Sequence, residues 1–223
     1  MWWNEMRGCA APLGSIALGI TVLVLSLTSA RAQSQAHAAP PAQDAPAVQS
    51  PGQLIAETID QVFKLLRDPE LKKTAKLRLL KLRGIVDRAF DWEAMAQSSL
   101  GPPWRKLDDK QRAEFVSVFK ELLAQEYMDD IDRFQGNEEV QTKSSEKSGE
   151  VEIVNTVLIT SSREQVPMNY TLQKEGKRWA VVDMSIEGVS LVNHYRQTFG
   201  RFLANKQFPE LMQQLKRKLG IHE

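Results

Sequence analysis

Residues 151–159 read Val-Glu-Ile-Val-Asn-Thr-Val-Leu-Ile, and residues 166–173 read Val-Pro-Met-Asn-Tyr-Thr-Leu-Gln. In both stretches apolar side chains recur at every second position, which is typical of a β-strand with one buried face. One face of the predicted sheet is therefore strongly apolar. The residues assigned to that face are Val151, Ile153, Val157 and Ile159 from the first stretch, and Val166, Met168, Tyr170 and Leu172 from the second.

Similar stretches lie on either side of these two, at residues 140–144 and 178–184. The dipeptides Ser148-Gly149 and Glu175-Gly176 provide turn residues between neighbouring stretches, and glycine allows the backbone angles that tight hairpin turns require. The pattern predicts a meander of four antiparallel strands.

Helical patterns precede and follow this meander. Serine or aspartate, followed by proline or by a capping partner, marks several of the expected helix starts. The clearest apolar stripe runs from Phe115 to Ile131. Helices before and after one antiparallel sheet predict an α+β fold, in which N- and C-terminal helices wrap the sheet. The helices are predicted to start at Ser50, at Asp68 (running to about Phe90), at Asp91 (running through Met95), at Asp108, at Ser190 and at Phe208.

The first residues of the chain have the composition of an export signal. Arg7 precedes an apolar run from Leu13 to Leu27, and Ala30-Arg31-Ala32 forms a small-x-small triplet. These features predict cleavage after Ala32. The alternative is a permanent membrane anchor, but the run is shorter than the roughly twenty residues that span a bilayer. We therefore expect a cleaved signal at residues 1–32.

The next segment, residues 33–50, is rich in alanine, proline, glutamine and serine and almost lacks large apolar side chains. Such a composition cannot bury enough surface to offset the entropy of ordering. We expect a disordered tether here, followed by one domain at residues 51–223.

Composition excludes several classes of chemistry. The single cysteine, Cys9, lies within the predicted signal, so the mature chain would have no disulfide and no thiol nucleophile. The chain has 29 basic and 28 acidic residues, and removal of the signal takes away Arg7, Arg31 and Glu5. The mature domain is then electrically balanced, which argues against nucleic-acid binding because that function depends on a basic excess.

Catalytic and cofactor motifs are not recognisable in the sequence. No histidine pair has metal-ligand spacing, and we expect neither a metal nor another cofactor. The enzymatic alternative is a small hydrolase or isomerase that uses Asp183, His194 and Tyr170. Ser190, His194 and Asp183 could also be interpreted as a catalytic triad. In the interpretation that we favour, Ser190 caps a helix and His194 lies on its surface.

Residues 181–199 read VVDMSIEGVSLVNHYRQTF. A strand that ends in Val-x-Asp is followed by a Glu-Gly-Val-Ser turn and by a helix with Tyr195-Arg196 and Phe199. This block resembles the MlaC-type proteins, also called the toluene-tolerance family, and the similarity extends from about Leu54 to Leu219. The upstream residues that share it are Phe90-Asp91, Leu100-Gly101, Trp104-Arg105, Leu107, Gln111, Phe115, Phe119, Leu122, Leu123 and Tyr127.

The resemblance implies a periplasmic carrier that is not an enzyme. Such a carrier shuttles phospholipid between an outer-membrane lipoprotein complex and an inner-membrane ABC transporter complex, touches membranes only peripherally and transiently, and maintains outer-membrane lipid asymmetry. It also implies a curved sheet and helices that enclose an apolar lipid cavity, with the headgroup in solvent. Two alternatives remain: a related subfamily suggests a hopanoid-type cargo, and an adaptor would bind a transporter without lipid. The stretch Gly101-Pro102-Pro103-Trp104 departs from the family pattern.

The family's layout, combined with the strand alternation, predicts two sets of lipid-binding residues that face each other across one tunnel. Basic residues on the second helix, together with Arg196, are predicted to dock the carrier on its partners or to screen the lipid headgroup. These basic residues are Lys72, Lys73, Lys76, Lys81 and Arg83. The lipid-binding residues are Ile153, Val157, Met168, Tyr170 and Val181 on the sheet, and Phe119, Leu123, Leu191, Tyr195 and Phe199 on the helices.

Overall fold

A computed structural model of the protein describes residues 49–132 and 137–221. The predicted export signal at residues 1–32 and nearly all of the predicted tether at residues 33–50 lie outside the described residues. No helix in the described ranges is long and apolar enough to cross a membrane.

The described chain has the predicted α+β architecture, with a curved antiparallel sheet that follows five α-helices and precedes two in the chain. It contains seven α-helices, five strands and one 3-10 helix, Pro102–Lys106. The α-helices are α1 (Pro51–Arg67), α2 (Pro69–Lys72), α3 (Ala75–Ala89), α4 (Trp92–Leu100), α5 (Asp109–Asp132), α6 (Leu191–Leu203) and α7 (Phe208–Lys218). The strands are β1 (Glu139–Ser148), β2 (Val151–Ile159), β3 (Gln165–Glu175), β4 (Arg178–Ile186) and β5 (Val189–Ser190).

The strands lie in the sheet in the order in which they occur in the chain. Gly149 and Gly176 occupy the two predicted turns with φ of 64° and 59°, values that favour glycine. The sheet has one strand more than predicted, because the two-residue strand β5 pairs with the end of β4 just before α6 begins. A strand of two residues is too short to show the alternating pattern from which strands are predicted.

The helix starts agree with the prediction, but two lengths do not. Ser50 and Gln53 form the capping box at the start of α1. The second predicted helix is interrupted: Thr74 has φ of −131° and ψ of 76°, and this non-helical residue separates α2 from α3. The third predicted helix, α4, runs to Leu100 rather than to Met95, and it ends where Gly101 adopts φ of 71°.

The inner face of the sheet, which packs on the helices, carries Val154, Thr156 and Leu158 of β2. The register places Val154 opposite Tyr170 and Thr156 opposite Met168, and residues that pair directly across antiparallel strands share a face. The predicted β3 face is therefore confirmed, whereas the predicted β2 face is wrong. Val151, Ile153, Val157 and Ile159 lie on the outer face, which is half-buried.

The β2 error has a simple physical reason. Apolar residues occupy both faces of this strand, so alternation alone does not identify the buried one, and a shift of one residue exchanges the two faces. Thr156, which the pattern marks as polar, is buried, and its hydroxyl donates a hydrogen bond to the backbone oxygen of Met168 at 2.7 Å.

Buried apolar residues form three clusters. The helix cluster lies among α4, α5, α6 and α7 and has Phe115, Phe119 and Phe199 at its centre. The α3 cluster joins α1 and α3 to the ends of β2 and β3 through residues such as Leu66 and Leu82. The sheet cluster contains Ile55, Val154, Tyr170, Leu172 and Val181.

Candidate functional site

Four apolar residues lie where these clusters meet, and we call them the boundary residues. Ile59 and Met168 pack against both the α3 cluster and the sheet cluster. Phe90 and Met184 pack against both the helix cluster and the sheet cluster. Each keeps part of its surface exposed, although each contacts two buried clusters. The interior is therefore incompletely closed at these four side chains, where two buried clusters meet.

Two of the boundary residues flank Tyr170 on the inner face. Met184 pairs with Tyr170 across β3 and β4, and Met168 lies two residues from it on β3. Methionine is unbranched and flexible, so it can adapt to neighbours of different shape. Flexible, incompletely buried side chains next to a buried tyrosine are suited to contact with an apolar ligand.

Ion pairs fasten α3 to α5 beside the α3 cluster. Arg83 binds Glu121 through two hydrogen bonds, of 2.8 and 2.9 Å. Asp87 accepts hydrogen bonds from Lys120 Nζ at 2.6 Å and from Trp92 Nε1 at 3.1 Å. These contacts hold the two helices at a fixed spacing next to the boundary residues.

The structure brings together only part of the predicted lipid-binding set. Tyr170 and Val181 belong to the sheet cluster, and Met168 packs against it. Ile153 and Val157 point to the other face of the sheet, which corrects their predicted inward orientation. The predicted helical residues lie in the helix cluster, separate from the sheet cluster; they are Phe119, Leu123, Leu191, Tyr195 and Phe199.

Aromatic packing explains this separation. The Phe119 ring lies 5.4 Å from that of Tyr195 and 6.2 Å from that of Phe199, both edge-on. Such edge-to-face pairs are favourable and leave little free space between the rings. The helical residues therefore pack on one another in the helix cluster, and their place in a lipid tunnel stays a prediction.

The predicted lipid-binding set omits three of the four boundary residues: Ile59, Phe90 and Met184. α1 and α3 cover the inner face, whereas the prediction assigned that position to α5 and α6. Met184 was recognisable as an adaptable side chain on a strand, and this was the one usable signal.

The residues of the enzymatic alternative have structural partners. The hydroxyl of Ser190 donates a hydrogen bond to Asp183 Oδ2 at 2.6 Å and accepts one from the backbone N–H of Asn193 at 3.0 Å. Asp183 Oδ1 accepts from the backbone N–H groups of Met184 and Val192. The serine hydrogen is thus committed to a carboxylate and is not shared with an imidazole base. This arrangement fastens β4 to the start of α6.

His194 is half-buried one turn further along α6, and its ring lies 5.2 Å from that of Tyr195. Burial lowers the pKa of His194, Arg201 and Lys218 lower it further, and Glu126 opposes the shift. Within the described ranges, no group of three or more histidine, cysteine or acidic side chains could hold a metal ion.

The basic residues on α2 and α3 fall into two groups. Arg83 is engaged with Glu121, and Lys73 with Glu70. Lys72, Lys76 and Lys81 are exposed.

The exposed lysines border two exposed leucines of α3, Leu77 at 41% and Leu80 at 66% exposure. Helical spacing places Lys76 next to Leu80 and Lys81 next to Leu77. We call Lys72, Lys76, Leu77, Leu80 and Lys81 the α3 surface. Arg196, the last predicted docking residue, instead lies against the turn at Gly101.

An open groove of about 660 Å³ lies elsewhere, between the start of α5 and α7. Gln111, Glu114, Phe208, Met212 and Ile221 are among its lining residues. Mixed polar and apolar groups line it, and it does not include the boundary residues.

The fold and the arrangement of its apolar residues define an α+β protein whose inner sheet face is suited to contact with an apolar ligand. Comparison with known protein families matches residues 56–217 to the MlaC protein family. Because this match spans well over half of the 223 residues, the chain belongs to the MlaC family, as the resemblance of residues 181–199 predicts.

Among solved structures, the chain is similar to the phospholipid-binding protein from Ralstonia solanacearum in complex with a phospholipid. The identity is 20% and the TM-score 0.69, over 76% of this chain and 96% of the other. At this identity the similarity establishes the shared fold. No curated protein matches the sequence.

Proposed function

We propose that this protein is a periplasmic lipid carrier that holds a phospholipid by its acyl chains. The observation that carries the proposal is the set of half-buried boundary residues along the inner face, next to Tyr170. Membership of the MlaC family and the phospholipid in the structural neighbour support it. The lining residues that we propose are the boundary residues, with Tyr170 and Val181 beneath them.

The energetics of lipid transfer require such a carrier. Two acyl chains hold about thirty methylenes, each worth roughly 0.8 kcal/mol when kept from water, so an unprotected crossing would cost on the order of 24 kcal/mol. A carrier replaces most of that lost contact with its own apolar side chains. The boundary residues Met168 and Met184 supply such contacts and adapt to tails of different shape.

We further propose that the protein shuttles phospholipid between an outer-membrane lipoprotein complex and an inner-membrane ABC transporter complex. This traffic would maintain the lipid asymmetry of the outer membrane. The α3 surface is the docking surface in this proposal, because its exposed lysines suit an acidic partner and its two leucines add apolar contact.

Native mass spectrometry of the exported protein, purified from the periplasm, tests cargo binding. We expect one phospholipid per protein. A hopanoid mass in its place would show that the cargo is a hopanoid-type lipid and not a phospholipid. A protein free of lipid would favour the adaptor and refute lipid carriage. N-terminal sequencing of the same sample tests the predicted cleavage after Ala32.

Deletion of the gene tests the cellular role. We expect phospholipid to accumulate in the outer leaflet of the outer membrane, and we expect the wild-type gene to restore asymmetry. A Met168→Trp variant, which occupies the proposed site, should be exported in normal amount without restoring it. Full restoration by a variant that binds no lipid would contradict the proposed function.

A further inference from the structure

The Tyr170 side chain is 8% exposed and lies among apolar residues of the sheet cluster. Within the described ranges its hydroxyl has no hydrogen-bond partner. The hydroxyl oxygen itself is not fully buried, although the residue as a whole is. A molecule that lies against the inner face can therefore accept a hydrogen bond from it. Burial also raises the pKa of Tyr170, so the phenol keeps its hydrogen and remains a donor.

Two other buried hydroxyl groups provide a contrast. Thr156 also lies on the inner face, and its hydroxyl is satisfied by the backbone oxygen of Met168. The hydroxyl of Tyr195 is satisfied by Glu126 Oε2 at 2.6 Å. Tyr170 differs from both because its neighbours on the inner face, Met168 and Met184, are half-buried apolar side chains that offer no strong acceptor.

We propose that the Tyr170 hydroxyl donates a hydrogen bond to an ester carbonyl of the bound phospholipid. This inference rests on the proposed function and names the polar contact that fixes the depth of the lipid in the site. It requires a ligand with a neutral acceptor at the top of its apolar tails, which a glycerol ester supplies.

The acceptor is an ester carbonyl rather than the phosphate, for an electrostatic reason. The strand register surrounds Tyr170 on the inner face with Val154, Met168, Leu172 and Met184, which are all apolar, and the nearby Thr156 hydroxyl is already bonded to the backbone oxygen of Met168. A phosphate placed there would lose its hydration without gaining a cation, which is far more costly than burial of a neutral carbonyl that accepts one hydrogen bond. The phosphate therefore lies outside this cluster.

The test compares diacyl phosphatidylglycerol with its dialkyl ether analogue of equal chain length, which lacks both carbonyls. Lipid is first removed from wild-type protein and from a Tyr170→Phe variant, and each is then titrated with the two lipids. We expect wild type to bind the diacyl lipid on the order of 3- to 10-fold more tightly than the ether, as one hydrogen bond allows. Tyr170→Phe should bind the two lipids equally.

Tyr195→Phe is the matched control, since it removes a buried tyrosine hydroxyl that already has a partner. It should lower the melting temperature and keep the preference for the ester. Tyr170→Phe should melt at or above the wild-type temperature when lipid-free, because the Tyr170 hydroxyl makes no hydrogen bond within the described fold. A lowered melting temperature comparable to that of Tyr195→Phe would show that the Tyr170 hydroxyl bonds within the fold, and would overturn the inference.

The remaining outcomes separate this inference from the proposed function. Wild type that binds both lipids equally, or a Tyr170→Phe variant that keeps the ester preference, refutes the role of Tyr170 and leaves lipid carriage intact. Wild type that binds neither lipid refutes phospholipid carriage itself.

Discussion

The hydroxyl of Tyr195 on α6 donates a 2.6 Å hydrogen bond to Glu126 Oε2 on α5, and Lys218 Nζ of α7 lies 3.6 Å from the same oxygen. One carboxylate thus joins three helices at the edge of the helix cluster. Burial is the main cause that raises the pKa of Tyr195, and the bond to Glu126 raises it further.

This shift predicts how stability depends on pH. Tyr195 keeps its proton in the folded state to a higher pH than in the unfolded state, where its pKa is near 10. Its contribution to stability is therefore complete below pH 10 and is lost as the pH rises above that value. Urea unfolding at pH 8 and pH 11 should show a fall, and Tyr195→Phe should show a smaller one. Tyr195→Phe should also cost about 1–2 kcal/mol at pH 8; equal pH dependence in both proteins would contradict this account.

Gly101 is predicted to resist substitution. Its φ of 71° and ψ of −140° lie in a region that side chains rarely adopt, and a Cβ there would lie 3.3 Å from Arg196 Nε. Gly101→Ala should destabilise the protein by about 1–3 kcal/mol in thermal unfolding. Adding Arg196→Ala should recover only part of the loss, because the backbone strain remains.

Gly52 on α1 provides the control for Gly101, since a Cβ there would meet no atom within 4 Å. Gly52→Ala should be neutral or stabilising by up to about 1 kcal/mol. If Gly101→Ala were equally harmless, the turn before the 3-10 helix would have to be free to adopt another conformation.

Enlarging a boundary residue should displace lipid with little cost in stability. Met168 is half-buried, whereas Met95 in the helix cluster is fully buried, so the same substitution samples two environments. Met168→Trp should lower the amount of co-purified phospholipid and cost less than about 1 kcal/mol. Met95→Trp should cost about 1–3 kcal/mol through overpacking, without a direct effect on the lipid site. A Met168→Trp protein that is strongly destabilised but carries the normal amount of phospholipid would show that Met168 belongs to a tightly packed core and not to the lipid site.

Charge reversal on the α3 surface should slow delivery. Lys76→Glu together with Lys81→Glu reverses two exposed charges beside Leu77 and Leu80. Transfer of a labelled phospholipid to native bacterial membranes should slow by on the order of 10-fold at low salt, and the difference should shrink as salt screens exposed charges.

The double reversal Lys174→Glu with Lys177→Glu, at the exposed turn between β3 and β4, is the matched control and should leave transfer unchanged. Protein-free vesicles made from the extracted lipids complete the test. An equal slowing with those vesicles would mean that the α3 surface binds lipid rather than an acidic protein partner. Unchanged transfer to both native membranes and vesicles would show that the α3 surface has no docking role.

Local signals were sufficient to predict most elements of the fold. Asp108 and Gln111 exchange hydrogen bonds of 2.8 and 3.1 Å at the start of α5, and Ser50 and Gln53 form the corresponding box at α1. Such caps depend on residues three apart in the chain, so the sequence displays them directly. The break at Thr74 has no comparable signal, because no glycine or proline marks it.

The candidate site depends on contacts that are remote in sequence, and here prediction was less successful. The inner face of β2 is decided by its pairing with β3, where Thr156 meets Met168. The separation of Phe119 from Tyr170 is decided by which helices cover the sheet. The hydrophobic periodicity of a single segment reveals neither its pairing partner nor the helices that cover it. Met168 and Tyr170 were predicted correctly to face inward because β3 has one clearly apolar face. Val181 also lies in the sheet cluster, but the apolar run at residues 179–182 does not by itself identify its face.

The order of the strands has a consequence for how the protein acquires its cargo. Strands that follow each other in the chain pair by closing short loops, which costs little entropy. α1 must instead join the sheet from far away in the chain to bring Ile55 into the sheet cluster, and contacts so distant in sequence form slowly. We therefore expect the sheet to assemble before α1 covers it. During that interval the inner face around Tyr170 is open, and a lipid present at that moment can be enclosed as the chain completes its folding.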